Sequence, residues 1–266
     1  MNKYNLSVAI PTYNSSKYLE NLLSKLSKFK AVNEILIQDD NSSETEYEKI
    51  LDIVNRFKNI SIDIIVKKND KNIGAYLNKY ESIKNCTNNY VYQIDSDNLP
   101  GKNLDKTAFQ ICSSEEQNII YYPSSLIQII DGNVFEKLRY KYFKKNKVLL
   151  SSTNKDIDLV AIKKAINGKI KITQDKNHRW ILNCGNFIVN KSEFTKIIEG
   201  SLSEHNDYFI LDAVAFNYYW IKNGGKIKLL KDHFHYHRKR EDSVSMVNAN
   251  KTIESFKYFE RLILDL

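Results

Sequence analysis

Residues 6–38, LSVAIPTYNSSKYLENLLSKLSKFKAVNEILIQ, contain the patterns of a strand, a helix and a second strand, in that order. The runs at 6–10 and 34–38 are short and apolar, as buried strands are. Between them, apolar side chains repeat with a helical period: Tyr18, Leu19, Leu22, Leu23 and Leu26. This succession of elements is the unit from which parallel sheets are built, so it predicts an α/β fold.

The same alternation continues along the first part of the chain. Ser43 and Glu46 form a capping-box pattern before a second amphipathic helix, and residues 60–66 are typical of the next strand. A helix over 74–86 then precedes a strand over 90–94. Short apolar strands alternating with helices predict a mostly parallel, twisted sheet flanked by helices.

The patterns in the second part of the chain are weaker. They predict strands at 119–122, 186–189 and 226–230, and helices at 134–144, 156–166, 207–222 and 250–264. With only 8 Gly and 3 Pro in the sequence, no Gly- or Pro-rich linker separates two domains. We therefore expect residues 1–100 and 101–266 to be two halves of one compact domain.

The composition limits the partners and the location of the protein. Its net charge of +8 suggests a negative partner, such as a phosphorylated small molecule, an anionic membrane or nucleic acid. The densest basic segment, residues 137–147, could be a solvated helix face, a contact with an anionic membrane or lipid-linked acceptor, or a nucleic-acid strip. The apolar runs are too short to cross a membrane, and the start lacks a signal peptide, so we expect a cytoplasmic protein. Cys86, Cys112 and Cys184 are expected to be reduced, structural thiols.

Three polar loops follow predicted strands at the sheet edge where α/β proteins bind ligands: residues 11–14, 39–43 and 95–97. Asp95 and Asp97 could hold a divalent metal against the phosphates of a nucleotide, although a D-x-D triplet alone also fits a solvated turn. Asp39 and Asp40 could meet the ring N–H of a base or a ribose hydroxyl. The alternative for these two is an Asx-type turn or a helix cap.

Four segments, VAIPTYN, EILIQDDNSSE, NIGAYLNKYESIKN and YVYQIDSDN, resemble the successive signatures of family-two glycosyltransferases, which have the GT-A fold. The resemblance covers residues 6–100 and implies a nucleotide-sugar site with Asp40 on the base. It also implies that Asp97 is the carboxylate most directly on the metal, with Asp95 in support. The further donor-binding residues that it suggests are Pro11, Thr12, Tyr13, Asp39, Gly74, Asn78 and Ser96. The basic residue that the family often carries between the Gly74 and Asn78 positions is absent.

The segments 184–194 and 205–227 resemble the acceptor side of the same family, where an acidic pair begins a helix that ends in Gly before a strand. Asp212 lies approximately where the base is expected, and Asp207 competes for that role. The alternative for Asp212 is a helix residue paired with a nearby donor. Asn186 is an acceptor-binding candidate. Trp180 could stack on an acceptor sugar, or it could lie in the core.

Three histidines near the end of the chain are spaced by two residues: His233, His235 and His237. In a strand they would share one face, and a neutral imidazole is a good metal ligand. Relatives with an HR pair here suggest that His237 completes the metal shell and that Arg238 and Arg240 contact phosphate. The alternative is an exposed, polar strand end.

These features and the family resemblance together predict a metal-dependent glycosyltransferase that uses Mn or Mg, and the resemblance implies that it is inverting. It would move a sugar from a nucleotide donor, expected to be a UDP-sugar, to a hydroxyl of a glycan or lipid-linked carbohydrate, as in polysaccharide biosynthesis. Residues 1–100 would bind the nucleotide sugar, and residues 101–266 would bind the acceptor and carry the base. The alternatives are a sugar-phosphate nucleotidyltransferase and a basic, non-enzymatic module for nucleic acid or an anionic surface. We expect no nucleic-acid partner, and a possible peripheral contact with the inner face of the membrane.

Overall fold

The computed structural model describes residues 5–114, 116–130, 147–151, 153–171, 179–239 and 249–266. Its strands are β1 (Leu6–Thr12), β2 (Val32–Asp39), β3 (Asp63–Lys68), β4 (Tyr90–Gln93), β5 (Leu99–Pro100), β6 (Ile119–Ile130), β7 (Lys147–Leu149), β8 (Lys155–Ile157), β9 (Phe187–Asn190) and β10 (Lys226–Lys239). Its α-helices are α1 (Ser16–Leu26), α2 (Glu44–Asn55), α3 (Ala75–Lys84), α4 (Leu104–Cys112), α5 (Leu159–Ile166), α6 (Arg179–Leu182), α7 (Lys191–Glu199), α8 (Asp212–Lys222) and α9 (Ala249–Asp265). Short 3-10 turns occupy Leu202–Glu204 and Asp207–Ile210.

The strands of the first half form the parallel part of the sheet. β1 lies between β2 and β4 and is parallel to both, and β3 is parallel to β2. Every residue of β1 is buried, which requires cover on both faces of the sheet. The predicted α/β fold is confirmed, although the third strand begins at Asp63 rather than at residue 60. The Ser43 hydroxyl accepts a hydrogen bond from the Glu46 amide, as the capping pattern predicts, while the Glu46 carboxylate reaches across to Ser16.

The second half extends the same sheet with a different strand pattern. β9 is antiparallel to both β4 and β6, and β10 runs parallel to β6 with a shift in register between Leu230 and Phe234. The complete order is β3-β2-β1-β4-β9-β6-β10-β5, with β7 on β6 and β8 on β10. β6 and β10 are both longer than the sequence predicts, because the residues that follow the predicted runs pair with each other.

Several predicted elements in the second half differ from the structure. The predicted helix at 156–166 begins only at Leu159, after Asp158 caps it, and the residues before it form β8. Ile157 of β8 is buried opposite Ile227, so sheet pairing decides its conformation. The predicted helix at 207–222 is a 3-10 turn followed by α8, while the predicted C-terminal helix is confirmed as α9. The elements that the sequence does not predict are β5, β7, α4, α6 and α7, and the predicted helix at 134–144 lies outside the described residues.

The sheet separates two hydrophobic cores. Alternate residues of β1 face opposite sides: Val8 and Ile10 belong to the core under α1, α2 and α4, and Ala9 belongs to the core under α3, α7 and α8. α8 is buried on all sides from Ala213 to Ile221, so the residue that begins it is held in a fixed place. The three cysteines are free thiols, as expected. Among the described residues, no helix is long and apolar enough to cross a membrane.

Candidate active site

An open cleft with a volume of about 940 Å³ lies at the carboxyl ends of β1, β2 and β4. It extends to the first residues of α3 and α8 and to the carboxyl-terminal part of β10. The residues predicted from the sequence that line it are Pro11, Thr12, Tyr13, Asp40, Gly74, Asn78, Asp95, Ser96, Asp97, Asn186, Asp207, Asp212, His237 and Arg238. Arg240 and the side chain of Trp180 lie outside the described residues, so their predicted roles stay predictions.

The structure separates the two acidic residues that follow β2. Asp39 is fully buried and accepts hydrogen bonds from the Ser42 amide and hydroxyl. It does not line the cleft, so the prediction of a donor contact for Asp39 is replaced by the alternative, an Asx-type turn. This carboxylate closes the turn at Asn41, which has a positive φ of 59°.

Asp40 lines the cleft and also organises the loop that enters α3. Its two carboxylate oxygens accept hydrogen bonds from the Ile73 amide at 2.8 Å and from the Gly74 amide at 2.9 Å. Asn69 Nδ2 donates a third bond at 2.9 Å, and Asn69 also donates to Asn78. Gly74 has a φ of 85°, a conformation that favours glycine. Asp40, Gly74 and Asn78 therefore form one hydrogen-bonded wall of the cleft.

A chain of buried hydroxyl groups connects the loop after β1 with the loop after β4. Thr12 Oγ1 lies 2.8 Å from Ser15 Oγ, which lies 2.9 Å from Ser96 Oγ. These hydrogen bonds fix the loop after β1 against the loop after β4, the aspartate loop, which carries Asp95, Ser96 and Asp97. Tyr13 extends from the same loop into the cleft with 52% of its surface exposed, leaving its ring face accessible to a planar ligand.

Asp95 is held by several donors from the protein. Its carboxylate accepts from Lys79 Nζ at 2.8 Å, from Gln93 Nε2 at 3.3 Å and from Asn98 Nδ2 at 3.4 Å. Its amide donates to Asn186 Oδ1 at 2.8 Å. Asn186, predicted to bind an acceptor, is thus placed under the aspartate loop, where its amide oxygen supports Asp95.

Arg238 holds Asp97 from the other side of the loop. Its amide donates to Asn98 Oδ1 at 2.8 Å, and its Nε donates to the Asp97 carbonyl at 3.0 Å. The guanidinium lies 4.7 Å from the centre of the Tyr18 ring, within the range of a cation–π contact. The residue predicted to contact phosphate therefore also fixes the backbone of the aspartate loop.

The three histidines lie on one face of β10, as their spacing predicts, but most of that face is buried. His233 and His235 are both inside the protein, and the His235 and His237 rings are 5.9 Å apart. Burial lowers the pKa of His233 to about 4 and that of His235 well below its ordinary value. Burial also lowers the pKa of His237, against the opposing effect of Asp95, so the ring is neutral near pH 7. His235 and His237 line the cleft.

The clearest residue that the sequence analysis missed is Lys79 of α3. Its side chain is 9% exposed, and its Nζ lies 2.8 Å from Asp95 Oδ1 and 2.9 Å from Asp212 Oδ2. Burial lowers the pKa of Lys79, but the nearby Asp212 and Asp95 carboxylates outweigh it, so the net pKa is raised and the side chain stays charged. The signal in the sequence is a lysine between Tyr76 and Ile83, which lie on the buried face of the same helix.

The two candidates for the base lie in different surroundings. Asp212 begins α8, has a side chain that is 15% exposed and pairs with Lys79. Asp207 is 88% exposed and pairs with Lys251 of α9 at 3.0 Å. Both residues line the cleft, but only the Asp212 carboxylate is joined through Lys79 to the aspartate loop.

The model of the family described as Glycosyl transferase family 2 matches residues 7–197, which is most of the chain. The chain belongs to glycosyl transferase family 2. This family-2 chain is 33% identical over 100 residues to the abequosyltransferase RfbV of Salmonella typhimurium. That match covers 36% of this chain and 29% of the length of the relative.

Solved structures show the fold of this family-2 chain. TarS 1–349 of S. aureus in complex with UDP-GlcNAc has a TM-score of 0.60 and 21% identity, and the match covers 97% of this chain and 65% of that one. The mannosyltransferase PcManGT of Pyrobaculum calidifontis in complex with GDP-Man and Mn²⁺ has a TM-score of 0.59 and 12% identity, with the same coverage of 97% and 65%. The GT-A fold and the family-two resemblance predicted from residues 6–100 are thereby confirmed. Family membership also favours a transferase over a nucleotidyltransferase or a non-enzymatic module.

Proposed function

We propose that this protein is a metal-dependent, inverting glycosyltransferase that moves a sugar from a UDP-sugar to a hydroxyl of a glycan or lipid-linked carbohydrate. The observation that carries the proposal is the meeting of the aspartate loop with Asp212 in one cleft, next to the loops of Tyr13 and Asp40. The TarS complex with UDP-GlcNAc and the PcManGT complex with GDP-Man support a nucleotide sugar as donor.

The donor would lie along the first half of the cleft. The exposed Tyr13 ring offers a stacking surface for the base, and the wall formed by Asp40, Gly74 and Asn78 limits the depth of the site. The diphosphate would then reach the aspartate loop, where Arg238 adds a positive charge near Asp97. In this arrangement the anomeric carbon would lie between the aspartate loop and α8.

The residues around the aspartate loop fit a divalent cation. Asp95, Asp97 and His237 all line the cleft, and burial keeps the His237 ring neutral. Among the described residues, no three His, Cys, Asp or Glu side chains lie close enough together to form a metal site by themselves. These three residues would therefore hold the ion together with phosphate oxygens of the donor. An Mn or Mg ion held there would offset the negative charge that develops on the departing diphosphate. Mn²⁺ in the PcManGT complex supports this choice.

Asp212 is the residue that we assign as the base. The acceptor oxygen would attack the anomeric carbon, forming the new C–O bond while the bond to the diphosphate breaks. The carboxylate of Asp212 would take the hydroxyl proton, and the bonding electrons would leave with the diphosphate. Attack from the side opposite to the departing diphosphate would invert the configuration at the anomeric carbon, as the resemblance to the family implies.

The test is a screen of UDP-, GDP- and dTDP-sugars for thermal stabilisation and for release of the nucleoside diphosphate, with and without Mn²⁺ or Mg²⁺. We expect stabilisation and slow hydrolysis with a UDP-sugar, both lost on adding a chelator. The Asp97→Ala variant should lose the metal-dependent stabilisation while folding normally. A preference for GDP- or dTDP-sugars would contradict the donor assignment, and no response to any nucleotide sugar would contradict the function.

The cytoplasmic location and a peripheral contact with the inner face of the membrane stay predictions. The expected location rests on the short apolar runs and the sequence of the N-terminal segment, and the membrane contact rests on the net charge of +8 and on the basic segment at 137–147. All but the last residue of that segment lies outside the described residues. A lipid-linked acceptor would bring the cleft close to an anionic surface, where basic side chains are attracted.

A further inference from the structure

Lys79 connects two carboxylates that the proposed reaction uses for different purposes. Asp95 belongs to the loop that receives the donor diphosphate, and Asp212 is the proposed base. A single ammonium group lies within 2.9 Å of an oxygen of each. Because the side chain is almost completely buried, the contacts are screened little by solvent.

The backbone at Gly185 comes close to the ion pair of Lys79 and Asp95. A Cβ atom on Gly185 would lie 3.0 Å from Asp95 Oδ2 and 3.3 Å from Lys79 Nζ, so glycine allows the backbone to approach the pair closely. Asp95 has further donors in Gln93 and Asn98 and would keep much of its orientation without the lysine. Asp212 begins the buried helix α8, where one carboxylate oxygen accepts from the Ala213 amide and the other pairs with Lys79. Among the described residues Lys79 is the one side chain that binds this carboxylate, so its direction depends more on Lys79.

Removal of the charge of Lys79 would leave two carboxylates facing each other across a buried space. Like charges at this separation repel, and burial increases the cost. The Asp212 side chain would then turn away from the aspartate loop or draw a cation into the gap. In either case the proposed base would leave the position from which it can reach an acceptor hydroxyl.

We propose that Lys79 is a positioning residue that holds the Asp212 carboxylate in line with the donor site by tying it to Asp95. The inference rests on the proposed function, since it requires a donor at the aspartate loop and a base at Asp212. Lys79 acts through Asp212, so its removal affects turnover more than donor binding.

The experiment compares Lys79→Met with Lys84→Met in transfer assays and in UDP calorimetry with and without Mn²⁺. Lys84 is a matched control because it lies on the same helix and pairs with Glu199 at the surface. We expect Lys79→Met to lower kcat by about 100-fold, the cost of a misplaced group, while the KM for the donor and the UDP affinity change by less than about threefold. Lys79→Arg should recover part of kcat, because a guanidinium can also donate to two carboxylates.

Two outcomes would overturn the proposal. One is a kcat of Lys79→Met equal to that of Lys84→Met, and the other is an equal loss of kcat in Lys79→Met and Lys79→Arg. A parent protein that turns over no nucleotide sugar would instead contradict the proposed function, so the two failures are distinguishable.

Gly185→Ala keeps the test valid if Lys79→Met does not fold. The added methyl group would press on the ends of two flexible side chains, which can move by a few tenths of an ångström, so this variant should fold. We expect its kcat to fall by about tenfold with an unchanged UDP affinity. An unchanged kcat in Gly185→Ala would count against the bridge as the device that positions Asp212.

Discussion

At the scale of single residues, the site depends on how each carboxylate is surrounded. The Asp39 carboxylate closes a turn, and the Asp40 carboxylate holds the loop that enters α3. Asp95 is bound by three side chains, and the exposed Asp207 pairs with Lys251. Asp212 is partly buried and paired, yet still lines the cleft. The same side-chain chemistry therefore serves structure in some positions and leaves an oxygen available to a ligand in others.

Substitution of the two candidate bases should separate their roles. We expect Asp212→Asn to keep its affinity for UDP and to lose about 100-fold or more in kcat, because an amide cannot accept the proton. Asp207→Asn should keep kcat within about threefold, since the exposed pair with Lys251 contributes little. Steady-state kinetics and UDP calorimetry on both variants measure the difference. A kcat for Asp212→Asn equal to that of the parent would remove it as the base.

At the scale of elements, β10 carries three histidines whose protonated, charged form is disfavoured by burial. Burial lowers the pKa of His233 in the folded protein to about 4 from its ordinary 6.5, and it also lowers the pKa values of His235 and His237. The unfolded chain therefore binds more protons than the folded protein between these two values. Stability must fall as the pH decreases through this window.

We therefore expect the buried histidines of β10 to make the folded protein less stable at low pH. Lowering the pH from above 6.5 to below about 4 would reduce the free energy of unfolding by about 3 kcal/mol through His233 alone. Thermal unfolding measured between about pH 7 and pH 5 should show a falling melting temperature. His233→Phe, which keeps an aromatic ring beside Tyr92, should show a smaller decrease than the parent. Parallel pH curves for the two proteins would contradict the assignment.

The C-terminal helix α9 supports the turn that precedes the proposed base. Tyr258 stacks on Tyr208 with ring centres 4.3 Å apart, and the fully buried Phe259 contacts the Phe209 and Tyr218 rings. α9 lies beyond the region that the family model matches. Because of these ring contacts, α9 holds the segment from Asp207 to Asp212 against the core.

Truncation of this contact should be costly. Phe259→Ala removes a fully buried ring and is expected to lower the free energy of unfolding by about 3–5 kcal/mol. Ile253→Ala on the exposed face of the same helix is the control, and its effect should stay within about 0.5 kcal/mol. Denaturant unfolding of both variants provides the measurement. Similar losses in the two would mean that α9 does not pack on the core as described.

At the scale of the whole molecule, the sequence predicts the parallel half of the sheet well and the second half only in part. β1, β2 and β4 have apolar runs that are buried on both faces, and such runs are visible in any short window of sequence. The sequence predicts the start of a helix where β8 lies, and it does not predict the end of β10. Both are strands because partners distant in sequence pair with them.

The sequence alone determined the α/β class, the family and the order of the polar loops, because local periodicity and short motifs encode them. The tertiary structure decided which carboxylates face the cleft and which groups they meet. Lys79 shows the reason most clearly. A lysine on the buried face of α3 can be recognised as part of the site only from the tertiary structure. There, Asp95 and Asp212, which are far apart along the chain, lie on either side of its ammonium group.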